Sequence, residues 1–263
     1  MSLRATASSG PNVLAGVNFD GTPVSWLEAN WPFFTWAIFL FGSGVLAANF
    51  KNRDSYWYGW LAMVSYCLHQ SEEHAYDIRG WRYAFVPSLN LGPISKIYAA
   101  ICAETEEPLG CPLDPKITLY VNVLMIWIGF GGCMVAATFN PSRFLFSGSL
   151  NWGVSVFNGV FGHMMPAVLS QSYNPGFVQS IFMVPLGIYL IRESGRPFLC
   201  IFNGILVHAV MALAVVVIVR FDTNEAVTMT VALLAVCPVL TLVISNYVAT
   251  HSPTTAKKDN KKQ

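Results

Sequence analysis

Residues 55–77 read SYWYGWLAMVSYCLHQSEEHAYD, from Ser55 to Asp77. Apart from Ser55 and Ser65, the run from Ser55 to Leu68 is apolar or aromatic, and it carries no charge, as a helix entering a bilayer core of about 30 Å requires. The remainder carries His69, Glu72, Glu73, His74 and Asp77. Ionisable groups inside a span cost roughly 2.5–3.5 kcal/mol or more each near its centre and are functional candidates by default. A single stretch thus holds a membrane helix and, at its end, a concentration of chemistry.

The apolar pattern recurs on both sides of it. Of the 263 residues, 54% are hydrophobic and 11% charged, against about 25% charged in a soluble domain. Long apolar stretches alternate with short segments that hold nearly all the charge. Further stretches near 31–49, 117–138, 146–170, 176–192, 198–219 and 226–249 join 55–77. The expected fold class is therefore an all-α integral membrane bundle of about seven transmembrane helices. The fifth stretch is short and carries Pro185, so a kinked or partly re-entrant helix is expected there. A net charge of +1 offers no bulk attraction to nucleic acid. No G-x-x-x-x-G-K, G-x-G-x-x-G or G-x-S-x-G motif is present.

Domain organisation follows from the same alternation. Residues 1–30 are Ser/Gly/Asn-rich with one basic residue, Arg4, and no apolar core of a cleavable signal. They are expected to be disordered, with the first span acting as its own insertion signal. Residues 31–249 form the transmembrane domain, interrupted by an extramembrane loop at 78–116 that is rich in aromatics and prolines and able to cap one face. Residues 250–263 form a basic, disordered tail. Its Lys257, Lys258, Lys261 and Lys262 argue for a cytoplasmic C-terminus and, with seven spans, an outside N-terminus. Cys67, Cys133, Cys200 and Cys237 fall in apolar spans, where cysteine is mostly a small hydrophobe. Cys102 and Cys111 share the long loop, and an oxidising compartment could join them.

On an α-helix, His69, Glu72 and Glu73 share a face at i, i+3 and i+4, with Asp77 one turn beyond. His74 then projects about 140° from His69, toward a second partner or the outer interface. The chain has only five histidines, and His69, His74, His163 and His208 lie in spans two, four and six, which run in one direction. An internal echo adds to this: Phe157-Asn158-Gly159 to His163 and Phe202-Asn203-Gly204 to His208 both read F-N-G-x-x-x-H. Gly159 and Gly204 leave space beneath each ring for a ligand or a close helix. Imidazole with carboxylate suits a divalent transition metal, zinc or iron. The candidate ligands are His69, Glu73, His74, His163 and His208. Glu72 and Glu73 are the candidate catalytic carboxylates, one as ligand and one as general base. Asp77, Asn158 and Asn203 are expected to hydrogen-bond behind the ligands.

His69-Gln70-Ser71-Glu72-Glu73 resembles the signature of the HXXEE membrane protein family. A second feature is similar to that family's pattern: Asn158 and His163 ahead of Tyr173-Asn174-Pro175-Gly176, then an apolar segment with Pro185. The resemblance covers about residues 55–210, and the chain departs from it in the long loop 78–116. It implies a multi-span protein with enzymatic activity and brings no settled reaction with it. Taken together, the expected function is an integral membrane enzyme acting on a lipid or other hydrophobic small molecule through a His/Glu metal site. Hydrolysis leads, with oxidation or isomerisation next. A proton-coupled transporter, a non-catalytic scaffold, or a buried cluster that only fixes helix packing are the rival readings.

Overall fold

The computed structural model describes residues 18, 22–102, 111–139, 147–221 and 224–251. Of the segments expected to be disordered, 1–30 and 250–263, residues 1–17, 19–21 and 252–263 lie outside this set, while 26–30 and 250–251 belong to helices. Among the described residues the regular structure is helical, with no strand, and each of the expected apolar stretches is a helix or a run of joined helical segments.

α1 (Trp26–Ala48) begins ahead of the expected residue 31 because Ser25 and Glu28 build a capping box. Glu28 N–H donates to Ser25 Oγ at 3.2 Å, and Ser25 N–H donates to Glu28 Oε2 at 2.6 Å. The reciprocal pair satisfies two backbone donors at the helix start. α2 (Ser55–Gln70) opens on Asp54, whose carboxylate accepts from Trp57 N–H at 3.0 Å, and leads directly into a π-helical turn at Ser71–Ala75.

The described residues of the long loop, 78–102 and 111–116, are folded. They contain α3 (Phe85–Leu91), a 3-10 turn (Pro93–Ile97) and α4 (Ala99–Cys102). A Cys102–Cys111 disulfide ties the loop. Asn90 clamps Leu113 from both sides, donating to its carbonyl at 2.7 Å and accepting from its N–H at 3.1 Å.

α5 (Pro115–Leu119) continues through a second π segment (Tyr120–Gly131) into α6 (Gly132–Phe139). α7 (Ser147–Phe157) continues through a third π segment (Asn158–Met164) into α8 (Met165–Ser170). α9 (Phe177–Glu193) is one continuous helix through Pro185. α10 (Pro197–Phe221) and α11 (Asn224–His251) complete the order.

Helices over Trp26–Ala48, Pro115–Ala136 and Pro197–Phe221 are each long and apolar enough to cross a membrane. α2 packs against α1, α7 and α9; α7 also packs on α10, and α11 on α10 and the second π segment. α7 and α10 touch backbone to backbone. A Cβ on Gly153 would sit 1.9 Å from the Cys200 carbonyl oxygen, and one on Gly204 would sit 2.5 Å from that of Gly153. Small residues permit such approach between apolar helices. Gly204 therefore makes room for a helix and not for a ligand, and Gly159 does the same against α9, where Val184 lies. Trp31, Trp60, Met125, Met134 and Leu234 are buried inside, while the outer faces are apolar, with Phe198 88% exposed and Phe182 70% exposed. Large exposed apolar faces of this kind call for a partner or an apolar solvent.

Candidate metal centre

The π turn after α2 decides which side chains enter the interior. His69 and His74 stand five residues apart, a spacing that diverges on an α-helix. In the π turn, Tyr76 N–H bonds to Ser71 O at 3.0 Å, an i to i+5 closure that widens the turn. Glu73 and His74 consequently both point inward and are buried, as is His69. Of the two expectations for His74, the outer interface is corrected, since the ring is buried and an α-helical projection does not apply across this turn; the second partner is Asn122, whose Nδ2 lies 3.5 Å from His74 Nε2. The third π segment acts likewise on Asn158 and His163, whose side chains meet with Asn158 Nδ2 3.3 Å from His163 Nε2. The echoing Asn203 and His208 lie in uninterrupted α-helix, and there the two side chains go separate ways.

Three atoms form the centre. His69 Nε2 lies 3.0 Å from His163 Nε2, and Glu73 Oε1 lies 3.5 Å from the first and 3.1 Å from the second. An ion bonded at about 2.0–2.2 Å in tetrahedral geometry holds its ligands about 3.3–3.6 Å apart. The triangle is thus within a few tenths of an ångström of a metal-binding spacing, and these residues form a group that could hold an ion. Asn158 stands beside it, its Nδ2 3.0 Å from His69 Nε2.

Electrostatics points the same way. His163 Nδ1 faces two acceptors, Asn174 Oδ1 at 2.9 Å and the Pro175 carbonyl at 2.6 Å, so it carries the hydrogen. The Nε2 of a neutral ring then presents a lone pair to the Glu73 carboxylate. Two acceptors held this close repel unless a proton or a cation stands between them. A ligating histidine is oriented in just this way by a partner on its other nitrogen.

Tyr173-Asn174-Pro175-Gly176 supplies that orientation. Gly176 has φ +88°, and a Cβ there would lie 2.6 Å from His163 Nδ1 and 2.7 Å from His69 Cε1, so the backbone of the turn rests directly on both rings. Asn174 is held in turn by its Nδ2, which donates to Ser88 Oγ at 2.9 Å. The sequence reading marked this turn but assigned Asn174 no role, because an asparagine in a turn is ordinary turn chemistry.

Glu72 is placed away from the triangle. Its carboxylate accepts from Val178 N–H at 3.2 Å, Gln179 N–H at 3.0 Å and Tyr173 Oη at 2.8 Å. It thereby caps the start of α9, where open amide donors and the helix dipole favour an anion. Burial, and next the Glu72 carboxylate beside it, push the Tyr173 hydroxyl above the usual phenol range, so it remains a donor. Adjacent glutamates on the expected single face in fact serve two different structures.

Of the other candidates, His74 approaches the centre, its Nε2 3.7 Å from Glu73 Oε2. A directional chain ends on it: Trp127 Nε1 donates to Gln70 Oε1 at 2.8 Å, Gln70 Nε2 to Asn122 Oδ1 at 2.8 Å, and Asn122 Nδ2 reaches His74 Nε2 at 3.5 Å. Gln70, Asn122 and Trp127 were not among the predicted residues; Gln70 lies inside the His69–Glu73 pentapeptide. Asp77 pairs with Arg79 at 2.7 Å and shapes the turn that enters the loop. Asn203 donates to the Leu150 carbonyl at 3.2 Å, joining α10 to α7. Neither stands behind a ligand. His208 Nδ1 donates to the Gly204 carbonyl at 2.8 Å, and its ring packs on Phe157; it is outside the triangle.

A cavity of about 330 Å³ opens beside the centre. Glu73, His74, Asn122, Asn158 and His208 are on its wall, which is otherwise mostly apolar: Phe85, Leu89, Ile94, Phe157, Met211 and Val215 among others. The folded loop forms one side of it. Ile97, Phe161 and Met165 line it and are also exposed, so its rim reaches the apolar outer surface.

Fold and site together define an all-helical protein with membrane-length apolar helices and a buried His/Glu cluster beside an apolar cavity. Residues 60–190 match the model of a family described as a protein of unknown function with HXXEE motif, and the chain belongs to that family. The matched region contains His69, Glu72, Glu73, Asn158, His163 and the turn at 173–176. No curated protein matches the chain, and no solved structure does.

Proposed function

We propose that this chain is a multi-pass membrane enzyme that holds a divalent transition metal, zinc or iron, between His69, Glu73 and His163 and acts on a lipid or other hydrophobic small molecule. The observation that carries the reading is the triangle of Nε2, Nε2 and Oε1 atoms with edges of 3.0, 3.1 and 3.5 Å, buried and opening through Glu73 on an apolar cavity. Three protein ligands with a free position is the pattern of a catalytic metal site. When bound, such an ion supplies a Lewis acid that lowers the pKa of a coordinated water.

The protein's own groups divide the remaining work. Asn174 and the Pro175 carbonyl hold the His163 ring. Glu73 spans the centre and the cavity. With Glu72 committed to the start of α9 and His208 outside the triangle, the base is assigned to His74, on the cavity wall beside Glu73, its Nε2 exchanging the long 3.5 Å contact with Asn122 for the water. In hydrolysis it takes the proton of the attacking water and returns it to the oxygen of the leaving group, as the water oxygen bonds the carbon that oxygen leaves. The bundle is read as seven spans with the C-terminus cytoplasmic, supported by the helix order and the lysines of the tail.

Elemental analysis of the purified protein tests this. The expected result is one metal per chain, lost in Glu73→Gln and His163→Ala and retained in Glu72→Gln. Wild-type protein that is folded, active and metal-free overturns it. The same residues would then be a proton relay.

A further inference from the structure

Resting on that reading of the cavity as the substrate site, we infer that its occupant is a single-chain hydrophobic molecule with a hydroxyl group, which enters sideways from the bilayer and is recognised by His208. The chain count follows from size. A cavity of about 330 Å³ is at the small end of ligand pockets, which run from about 300 to 1,000 Å³, and holds one chain within its walls and not two.

The route follows from the rim. Ile97 of the 3-10 turn, Phe161 of the third π segment and Met165 of α8 face both the cavity and the exposed apolar surface. An apolar molecule dissolved among lipid chains can pass there without crossing a polar surface. A molecule from water meets the folded loop, fastened by the Cys102–Cys111 bond and the Asn90–Leu113 clamp.

Recognition follows from a nitrogen the metal centre does not use. His208 is a cavity wall residue, and its Nδ1 hydrogen is taken by the Gly204 carbonyl at 2.8 Å. The neutral ring therefore has an acceptor lone pair on Nε2, and no protein partner for that atom is found among the described residues. Its ring is fixed against Phe157, at 4.7 Å between centroids, and Phe157 directly precedes Asn158 of the centre. An acceptor held in place on a mostly apolar wall, away from the polar groups of the centre, selects a donor on the ligand, and a hydroxyl is a donor of modest cost to bring through lipid.

The test uses wild-type protein in lipid nanodiscs and tritiated hexadecanol, with hexadecane, dihexadecanoylglycerol and butanol as competitors. Hexadecanol should bind saturably and be displaced about fivefold less well by hexadecane, the value of one hydrogen bond. Dihexadecanoylglycerol and butanol should not compete. His208→Phe should bind alcohol and alkane alike, and Met211→Trp should bind neither. Ala212→Phe serves the same purpose if Met211→Trp does not fold. Equal binding of alcohol and alkane to wild type, an unchanged preference in His208→Phe, or no saturable binding overturns the inference. Metal content, measured on the same samples, should be unaltered in all these variants. Loss of binding with metal present defeats this inference alone, and binding with no metal defeats the metal-centre reading alone.

Discussion

The orientation of His163 is set by groups that stand outside the triangle. Its ring is aimed by Asn174 Oδ1 and the Pro175 carbonyl on one side, so that Nε2 meets Glu73 on the other. Partners of this kind are worth about 10–100-fold in metal affinity. Asn174→Ala should lower affinity by that factor in a chelator competition while leaving the thermal midpoint close to wild type. Gly176→Ala should do more. Its Cβ would collide with both imidazoles, and the residue must keep φ at +88°, a region costing an L-residue about 1–2 kcal/mol. The expected outcome is a folded protein with metal content near zero; full occupancy would show that the rings are not held by this turn. His69, Glu73, Asn158 and His163 were legible in the sequence because polar groups in an apolar stretch are conspicuous. Asn174 was not, since outside the spans a polar residue carries no such contrast.

At the level of elements, the apolar helices were largely readable and the π segments were not. Apolar stretches predicted α1, α2 and α9–α11 closely, and Ser25-x-x-Glu28 contained the earlier start of α1, since a capping box is a local pattern. A π turn has no comparable signal. It inserts one residue into a helical turn, and tertiary packing decides where. An α-helical projection therefore leaves the outer interface open to His74, which is buried beside Asn122 and Glu73, and groups Glu72 with Glu73. The cap on α9 gives a direct test of the second point. Glu72→Gln removes the charge at the helix start, where an anion is worth about 0.3–2 kcal/mol, and weakens hydrogen bonds to two backbone amides. Stability should fall by about 1–2 kcal/mol in denaturant titration with metal retained, and Tyr173→Phe should fall by about 1 kcal/mol. Loss of turnover in Glu72→Gln at unchanged stability would restore Glu72 as the base.

For the whole molecule, the cysteines report orientation. Cys67, Cys133, Cys200 and Cys237 are buried, and Cys102 is bonded to Cys111. A membrane-impermeant maleimide applied to the side of the folded loop should label nothing until a reductant opens that bond. A cysteine introduced at Lys261 should label only from the opposite side. Labelling of both from one side would sink the seven-span arrangement. The opening lined by Ile97, Phe161 and Met165 has a consequence for any assay. A ligand arriving through it is delivered by two-dimensional diffusion, so its effective concentration is its mole fraction among the lipids and not its amount per litre. On the proposed reading, diluting the proteoliposomes with buffer should leave ligand occupancy and turnover unchanged, whereas adding inert phospholipid at constant total ligand should lower both, and the corresponding constants belong on a mole-per-cent axis.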